Sequence, residues 1–201
     1  MASANNSRRW INNNQQISIR CMQINVQNCR LARGNSMNLI QQVPTDIVFV
    51  QEKYLLQNKI AEIPRDYRTY ISKEGKSRKT IIIANDNIDE VLITQLSGRL
   101  NIVLVLRYKS LRIFAARIYL DIIEETGIKT AKIDEILQFS KGFVTLIAID
   151  YSTRSKVWHD NQTNSIGKTL EIYLISRDLH IMKEEGEITT FQSRRGKDIW
   201  T

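Results

Sequence analysis

Three polar residues stand where buried strands run out. Asn25 lies at the end of the alternating run ISIRCMQINV (17–26), Glu52 directly follows the apolar run DIVFVQ (46–51), and Asp150 directly follows FVTLIAI (143–149). A side chain at such a point is positioned by the sheet while the loop beyond leaves room for a ligand. A hard cation such as Mg²⁺ takes oxygen ligands and binds through one or two carboxylates plus substrate phosphate. Glu52 and Asp150 converging on one rim would therefore be enough to hold it. Each of the three, taken singly, is better read as a solvated strand end; only their convergence carries chemistry.

Other chemistry is excluded by spacing. Gly75-Lys76-Ser77 and Gly167-Lys168-Thr169 end like phosphate loops, but Tyr70 and Gln162 occupy the places of the required first glycine. His159, in a Trp-His-Asp loop, and His180, at the start of an apolar stretch, lack metal-ligand spacing, and no Ser or Cys sits in a nucleophile elbow. Cys21 and Cys29 form neither a C-x-x-C pair nor a His/Cys cluster, so both read as reduced, small apolar residues.

The positioning elements follow from periodicity. Residues 17–26 alternate with period two and read as a half-buried strand; 29–42 read as a helix ended by Pro44; 46–51 read as a buried strand. Thr80–Ala84, Val91–Leu96, Asn101–Tyr108 and Leu111–Leu120 are β-rich and separated by turn residues, which argues for antiparallel hairpins in the middle third. Lys129–Lys141 places Ile133, Ile136, Leu137 and Ser140 at helical spacing with Gly142 as its stop, and 143–149 is a fully apolar strand. A second helix, Ser165–Arg177, carries Ile166, Leu170, Tyr173 and Leu174 on one stripe, and His180–Met182 and Thr189–Phe191 read as short strands.

A chain of 201 residues with 42% hydrophobic and 25% charged side chains has the composition of one globular domain. The Asn-rich start, residues 1–16, has little to bury and reads as a disordered polar leader before a domain at 17–201. No apolar run approaches the roughly 20 residues that span a bilayer, and the leader is too polar for a secretory signal, so the sequence predicts a soluble, intracellular protein without a membrane partner. The 29 Lys and Arg against 21 Asp and Glu give a net charge of +8, which favours a polyanionic partner through phosphate contacts.

Taken in order, these segments resemble the endonuclease domain of jockey and R1-type non-LTR retrotransposons, within the endonuclease/exonuclease/phosphatase superfamily. MQINVQNCR (22–30) resembles the family's opening strand with its metal-side Asn, and DIVFVQEKY (46–54) the strand that delivers the metal-binding Glu. RIYLD (117–121) is similar to the strand with the active-site Tyr. LIAIDYSTRSKVWHDNQTNSIGKTLEIYL (146–174) resembles the longest signature, with its Asp, Trp, Thr-Asn pair and helix-opening Gly, and GEITTF (186–191) the strand that follows. The likeness runs from about Ile17 onwards. It implies an α/β (α+β) fold, a four-layer αββα sandwich of two packed β-sheets flanked by helices.

By the same resemblance, Glu52 would ligate Mg²⁺ or Mn²⁺ and Asn25 would support that site, Tyr119 would contact the scissile phosphate, and Asp150 would orient or activate the attacking water. Ser152, Arg30, Arg154, Lys156 and Asn164 would contact phosphate or DNA. The implied activity is DNA nicking that leaves a free 3′-hydroxyl for a reverse transcriptase of the same element, in the nucleus. Two departures temper this. Ser152 stands where the family has a phosphate-contacting Asn, and Asp198-Ile199-Trp200-Thr201 shifts an expected acid by one place, which in a strand turns its side chain to the other face. The expectation is also of a C-terminally truncated domain, ending before the closing strands and their Asp-His pair. The alternative reading is thus a catalytically impaired remnant that keeps the fold and nucleic-acid binding.

Overall fold

The structure is a computed structural model that describes residues 7–12, 15–25, 38, 40, 42–43, 45–51, 67–71, 80–83, 88–120, 126–151, 153–158, 160–182, 191–193 and 196–198. Its strands are β1 (Ser7–Asn12), β2 (Gln15–Asn25), β3 (Ile47–Gln51), β4 (Arg68–Ile71), β5 (Thr80–Ile83), β6 (Ile88–Leu92), β7 (Asn101–Tyr108), β8 (Leu111–Leu120), β9 (Val144–Tyr151), β10 (Phe191–Ser193) and β11 (Gly196–Asp198). Its helices are α1 (Thr126–Phe139) and α2 (Ser165–Ser176).

The strands form a five-stranded sheet in the order β1-β2-β3-β5-β4, a four-stranded sheet in the order β6-β7-β8-β9, and a small β10-β11 hairpin. The two large sheets pack face to face. Ile19, Ile47 and Phe49 of the first meet Ile102, Leu104, Leu106, Ile113, Ala115 and Ala148 of the second in one buried cluster. The outer face of the second sheet buries Val103, Phe114, Ala116, Ile118 and Leu120 beneath Ile133 and Ile136 of α1 and Leu170 and Leu174 of α2. β8 is therefore apolar on both faces, which explains why LRIFAARIYL does not alternate cleanly between apolar and polar residues.

Each of the two large sheets contains one parallel pair. The second half of β2 runs parallel to β3, with Asn25 opposite Gln51, and β8 runs parallel to β9, with Tyr119 opposite Asp150. The other ladders are antiparallel. At the far edge the sheets are joined by Glu90 of β6, which accepts from Tyr70 Oη (3.1 Å) and pairs with Arg68 Nε (2.5 Å). Asp134 clamps the two helices, accepting from Tyr173 Oη at 2.8 Å and from Arg177 Nε at 2.6 Å. The Arg177 hydrogen bond holds the Asp134 carboxyl below the usual carboxylate range.

Several sequence expectations are corrected. Residues 7–12, read as part of a polar arm, form β1 on the first half of β2, with Ser7 opposite Arg20 and Asn12 opposite Gln15; pairing satisfies backbone groups whatever the side chains. The strand expected over Val91–Leu96 stops at Leu92, and Thr94–Leu96 is a 3-10 turn that carries Leu96 into the helix-side core. Ser97 Oγ accepts from the Val103 amide and so holds that turn. β4 is not marked in the sequence, because Arg-Thr-Tyr-Ile, unlike the apolar run of β5, shows neither an apolar run nor a clear alternation. His180–Met182 is irregular and His180 is exposed, with no ladder partner among the described residues. Ile166 is also exposed, while Gly167 takes the inward place. Of the helix expected at 29–42, only residues 38, 40 and 42 are described, and they are helical.

Cys21 packs against the inter-sheet core, and its thiol is pushed up to about 12, by burial first and by the Asp46 carboxylate second. The folded chain thus keeps a proton that the unfolded chain, with a thiol near its ordinary 9.0, has released. This stabilisation is complete below pH 9 and declines as pH rises towards 12, by at most about 1.4 kcal/mol per pH unit. Urea unfolding at several pH values from 9 to 11 is expected to show a steeper loss of stability in the wild type than in Cys21→Ala. Equal slopes would contradict the buried position of the thiol.

Candidate active site

Parallel pairing brings the C-terminal ends of β2 and β3 together, and likewise those of β8 and β9. Facing of the two sheets then puts both pairs on one rim. The contact is direct: the side-chain amides of Gln23 and Gln51 both donate to the Ile149 carbonyl, at 3.4 and 3.5 Å. Gln51 is opposite Asn25 and immediately precedes Glu52, and Ile149 immediately precedes Asp150. The structure thus brings together the strand ends of β2, β3 and β9, next to which the sequence placed its candidate chemistry. Glu52, Ser152 and Arg30 lie outside the described residues, and Asn25 is described by its backbone alone. Tyr119 is half-buried beside Asp150 in the β8-β9 register.

Asp150 is 6% exposed and does not stand alone. Its Oδ2 accepts from Arg117 Nη2 at 3.1 Å, and Arg117 has no exposed surface. The guanidinium also donates through Nη1 to the carbonyls of Ile118 and, at 3.4 Å, Ala148. Arg117 and Tyr119, two residues apart on β8, share the inter-sheet face with Ala148 and Asp150. Arg117 is not among the candidates picked out by motif or strand-end position, although its type and place are themselves a signal. An arginine in the middle of an apolar strand must find a buried anion, because an isolated charge there is too costly.

Beyond β9 the signature stretch folds into a cross-braced platform. Asn164 caps α2, its Oδ1 accepting from the Gly167 amide (2.7 Å) and from Thr153 Oγ1 (2.8 Å). The Asn164 amide donates to the Arg154 carbonyl, the Lys156 amide to Thr163 Oγ1, and Trp158 Nε1 to the Thr153 carbonyl. Thr153, Ser155 and Trp158 are buried, whereas Arg154 and Lys156 are exposed. The Asn, Thr and Trp of the signature thus hold the loop, and the loop presents the two cations. Asn164, expected at a phosphate, has its side-chain oxygen committed to the cap.

Among the described residues no cluster of three or more His, Cys, Asp or Glu is placed to hold a metal ion. Also among them, no helix is long and apolar enough to cross a membrane.

Two mixed sheets packed face to face, with both described helices against the outer face of the second, form an α/β sandwich. The endonuclease domain of TRAS1, a telomere-specific non-LTR retrotransposon, matches with a TM-score of 0.77 over 90% of this chain and 82% of that one, at 20% identity. An endonuclease/exonuclease/phosphatase family protein from Bacteroides thetaiotaomicron matches with a TM-score of 0.52 over 79% of this chain and 68% of that one, at 13% identity. No protein-family model and no curated protein matches the chain. At these identities the likeness establishes the fold, and the α/β sandwich implied by the sequence resemblance is the fold observed.

The platform gives a direct test. A Cβ added at Gly167 would lie 1.9 Å from the Arg154 carbonyl oxygen, so the backbone would have to move. Gly167→Ala is expected to destabilise by about 1–3 kcal/mol through overpacking, and Asn164→Ala by about 1 kcal/mol through loss of the cap, both read from urea unfolding. A Gly167→Ala variant as stable as the wild type would refute the close approach.

Proposed function

We propose that the chain is a divalent-metal-dependent DNA endonuclease domain of a non-LTR retrotransposon polyprotein. The observation that carries this reading is the shared rim, where Gln51, the neighbour of Glu52, reaches the carbonyl next to Asp150. The match to the TRAS1 endonuclease domain supports it.

The donor chemistry at the rim suits a hard cation. Asn25 ends β2 opposite Gln51, the residue before Glu52, and an amide and a carboxylate oxygen from these two residues would be the ligand type Mg²⁺ or Mn²⁺ prefers. Glu52 would hold the ion with Asn25 in support. When bound, such an ion neutralises charge developing on the phosphoryl oxygens. Asp150, held in place from within the sandwich, would orient a water in line with the phosphodiester and accept its proton. Tyr119, in register with Asp150, would direct its phenol to the scissile phosphate. Arg154 and Lys156 would bind flanking backbone phosphates, with Arg30, Ser152 and Asn164 contributing further contacts. The product would be a nick with a 3′-hydroxyl, serving as primer for the element's reverse transcriptase in the nucleus.

One observation favours a second reading, a catalytically impaired remnant that retains the fold and nucleic-acid affinity. Oδ2 of Asp150 is already engaged by a buried cation, as it would be if the rim were a structural plug. Plasmid nicking separates the two readings. In the presence of Mg²⁺ or Mn²⁺ the wild type is expected to convert supercoiled DNA to open circles, and Glu52→Ala and Asp150→Ala each to lower the rate by about 10²–10⁴. A wild type no faster than those variants leaves the remnant.

A further inference from the structure

We infer that the corner of the second sheet farthest from the rim is a separate binding site for single-stranded nucleic acid, in which Phe139 and Phe143 stack on bases while Arg107 and Arg112 hold a backbone phosphate. The site does not depend on the nuclease reading. Phe143 directly precedes β9 and Asp150 lies near its end, so the two are roughly 23 Å apart at about 3.3 Å per residue.

Three observations converge on that corner. First, the helices leave it open. Val91, Val105 and Phe114 lie side by side across β6, β7 and β8 on the outer face. Even so, Val91 is 61% exposed, Phe139 at the end of α1 is 43% exposed, and Phe143 is 44% exposed. Both of these rings rest on the buried Phe114, with centroids 5.8 and 5.2 Å from it, while nearly half of each faces solvent.

Secondly, the rings are set before any ligand arrives. The Phe143 amide donates to the Ser140 carbonyl at 3.0 Å, and Thr145 Oγ1 donates to the buried Ser140 Oγ at 2.8 Å. These bonds pin the turn between α1 and β9, which passes through Gly142 at φ +85°. Rings already fixed lose little freedom on binding.

Thirdly, the neighbouring row of the sheet holds more positive charge than its acids balance. Arg107 and Arg112 are directly opposite each other on β7 and β8, on the face that carries Phe114. Like charges so placed destabilise a sheet. Asp89 answers Arg107, at 2.7 Å. Among the described residues no acid pairs with Arg112, which is exposed, as is Lys141 between the two phenylalanines in sequence. A phosphodiester set between the two guanidiniums would relieve their repulsion.

Cations interleaved with open aromatic rings suit a strand whose bases are free to stack, and single strands are read in this way on open sheet faces. In a duplex the base faces are already taken. A polyanion without bases would use the cations and leave the rings idle.

Binding of fluorescent oligonucleotides of about 10 nucleotides to the full-length chain tests this, read by anisotropy in EDTA so that no strand is cut. RNA and DNA strands are compared with their duplexes and with abasic strands of the same length. The double variant Phe139→Ala/Phe143→Ala is expected to weaken binding of single strands at least tenfold, and to change binding of duplex and abasic strands by less than about twofold. Arg112→Gln should weaken normal and abasic single strands alike and lower the salt dependence by about 0.7 in log–log slope, the share of one phosphate contact. Photocrosslinking of iodouracil-substituted strands to the wild type should mark Phe139 or Phe143.

Single-strand affinity within twofold of the wild type in the ring variant would overturn the inference. So would an equal loss for abasic strands, which would make the corner a face for polyanions or acidic proteins. If the ring variant fails to fold, the crosslinks on the wild type decide: their absence from residues 139–143 would sink the proposal.

Discussion

A guanidinium with no exposed surface is tolerated in a protein only where a fixed anion and fixed acceptors surround it, and the rim of this sandwich is organised by that requirement. Arg117 takes the Asp150 carboxylate on one side and the carbonyls of Ile118 and Ala148 on the other. Removing one partner from such a buried pair commonly costs about 3–5 kcal/mol, because the remaining charge is left uncompensated. The last residues of β8 and β9 are therefore held in one register, and with them Tyr119 and Asp150. A wholly apolar rim of the same shape could be as stable, but it would hold no acid in place.

This interaction is possible only because β8 is central in two senses. It lies between β7 and β9 in its sheet, and both of its faces are covered, one by the opposing sheet and the other by α1 and α2. A charge on the inward face of such a strand is shielded from water along most of its length and emerges only at the end. The rim is that end. The parallel β2-β3 pair finishes at the same edge, and the Gln23 and Gln51 amides close the gap to Ile149. Polar groups are thus concentrated where the sheets stop, while their interiors remain apolar.

In the stretch after β9 most of the conspicuous residues hold the backbone in place. Thr153, Trp158, Asn164 and Gly167 are spent on capping α2 and on bringing it against the Arg154 carbonyl, and this fixes where Arg154 and Lys156 are offered to solvent. Glycine at 167 is required by the closeness of that approach and not by any unusual backbone angle. The Asp134 clamp on Tyr173 and Arg177 carries the same rigidity to α1, so the basic loop is referred back to the sheet through two helices.

Much of this was legible in the residues themselves. Period-two and fully apolar runs located β2, β3, β7, β8 and β9 to within a few residues, and helical spacing located α1 and α2, because each pattern is local and repeated often enough to stand out. Asn25, Glu52 and Asp150 could be singled out as strand-end polar residues for the same reason. What no local pattern contains is partnership across distance. That β5 and β6, neighbours in the chain, belong to different sheets, that residues 7–12 find a ladder on β2, and that Leu96 turns towards the helices are all settled by which surfaces meet. Arg117 makes the point most sharply: its type announced that some buried anion must exist, and only the parallel pairing of β8 with β9 determined that the anion is Asp150.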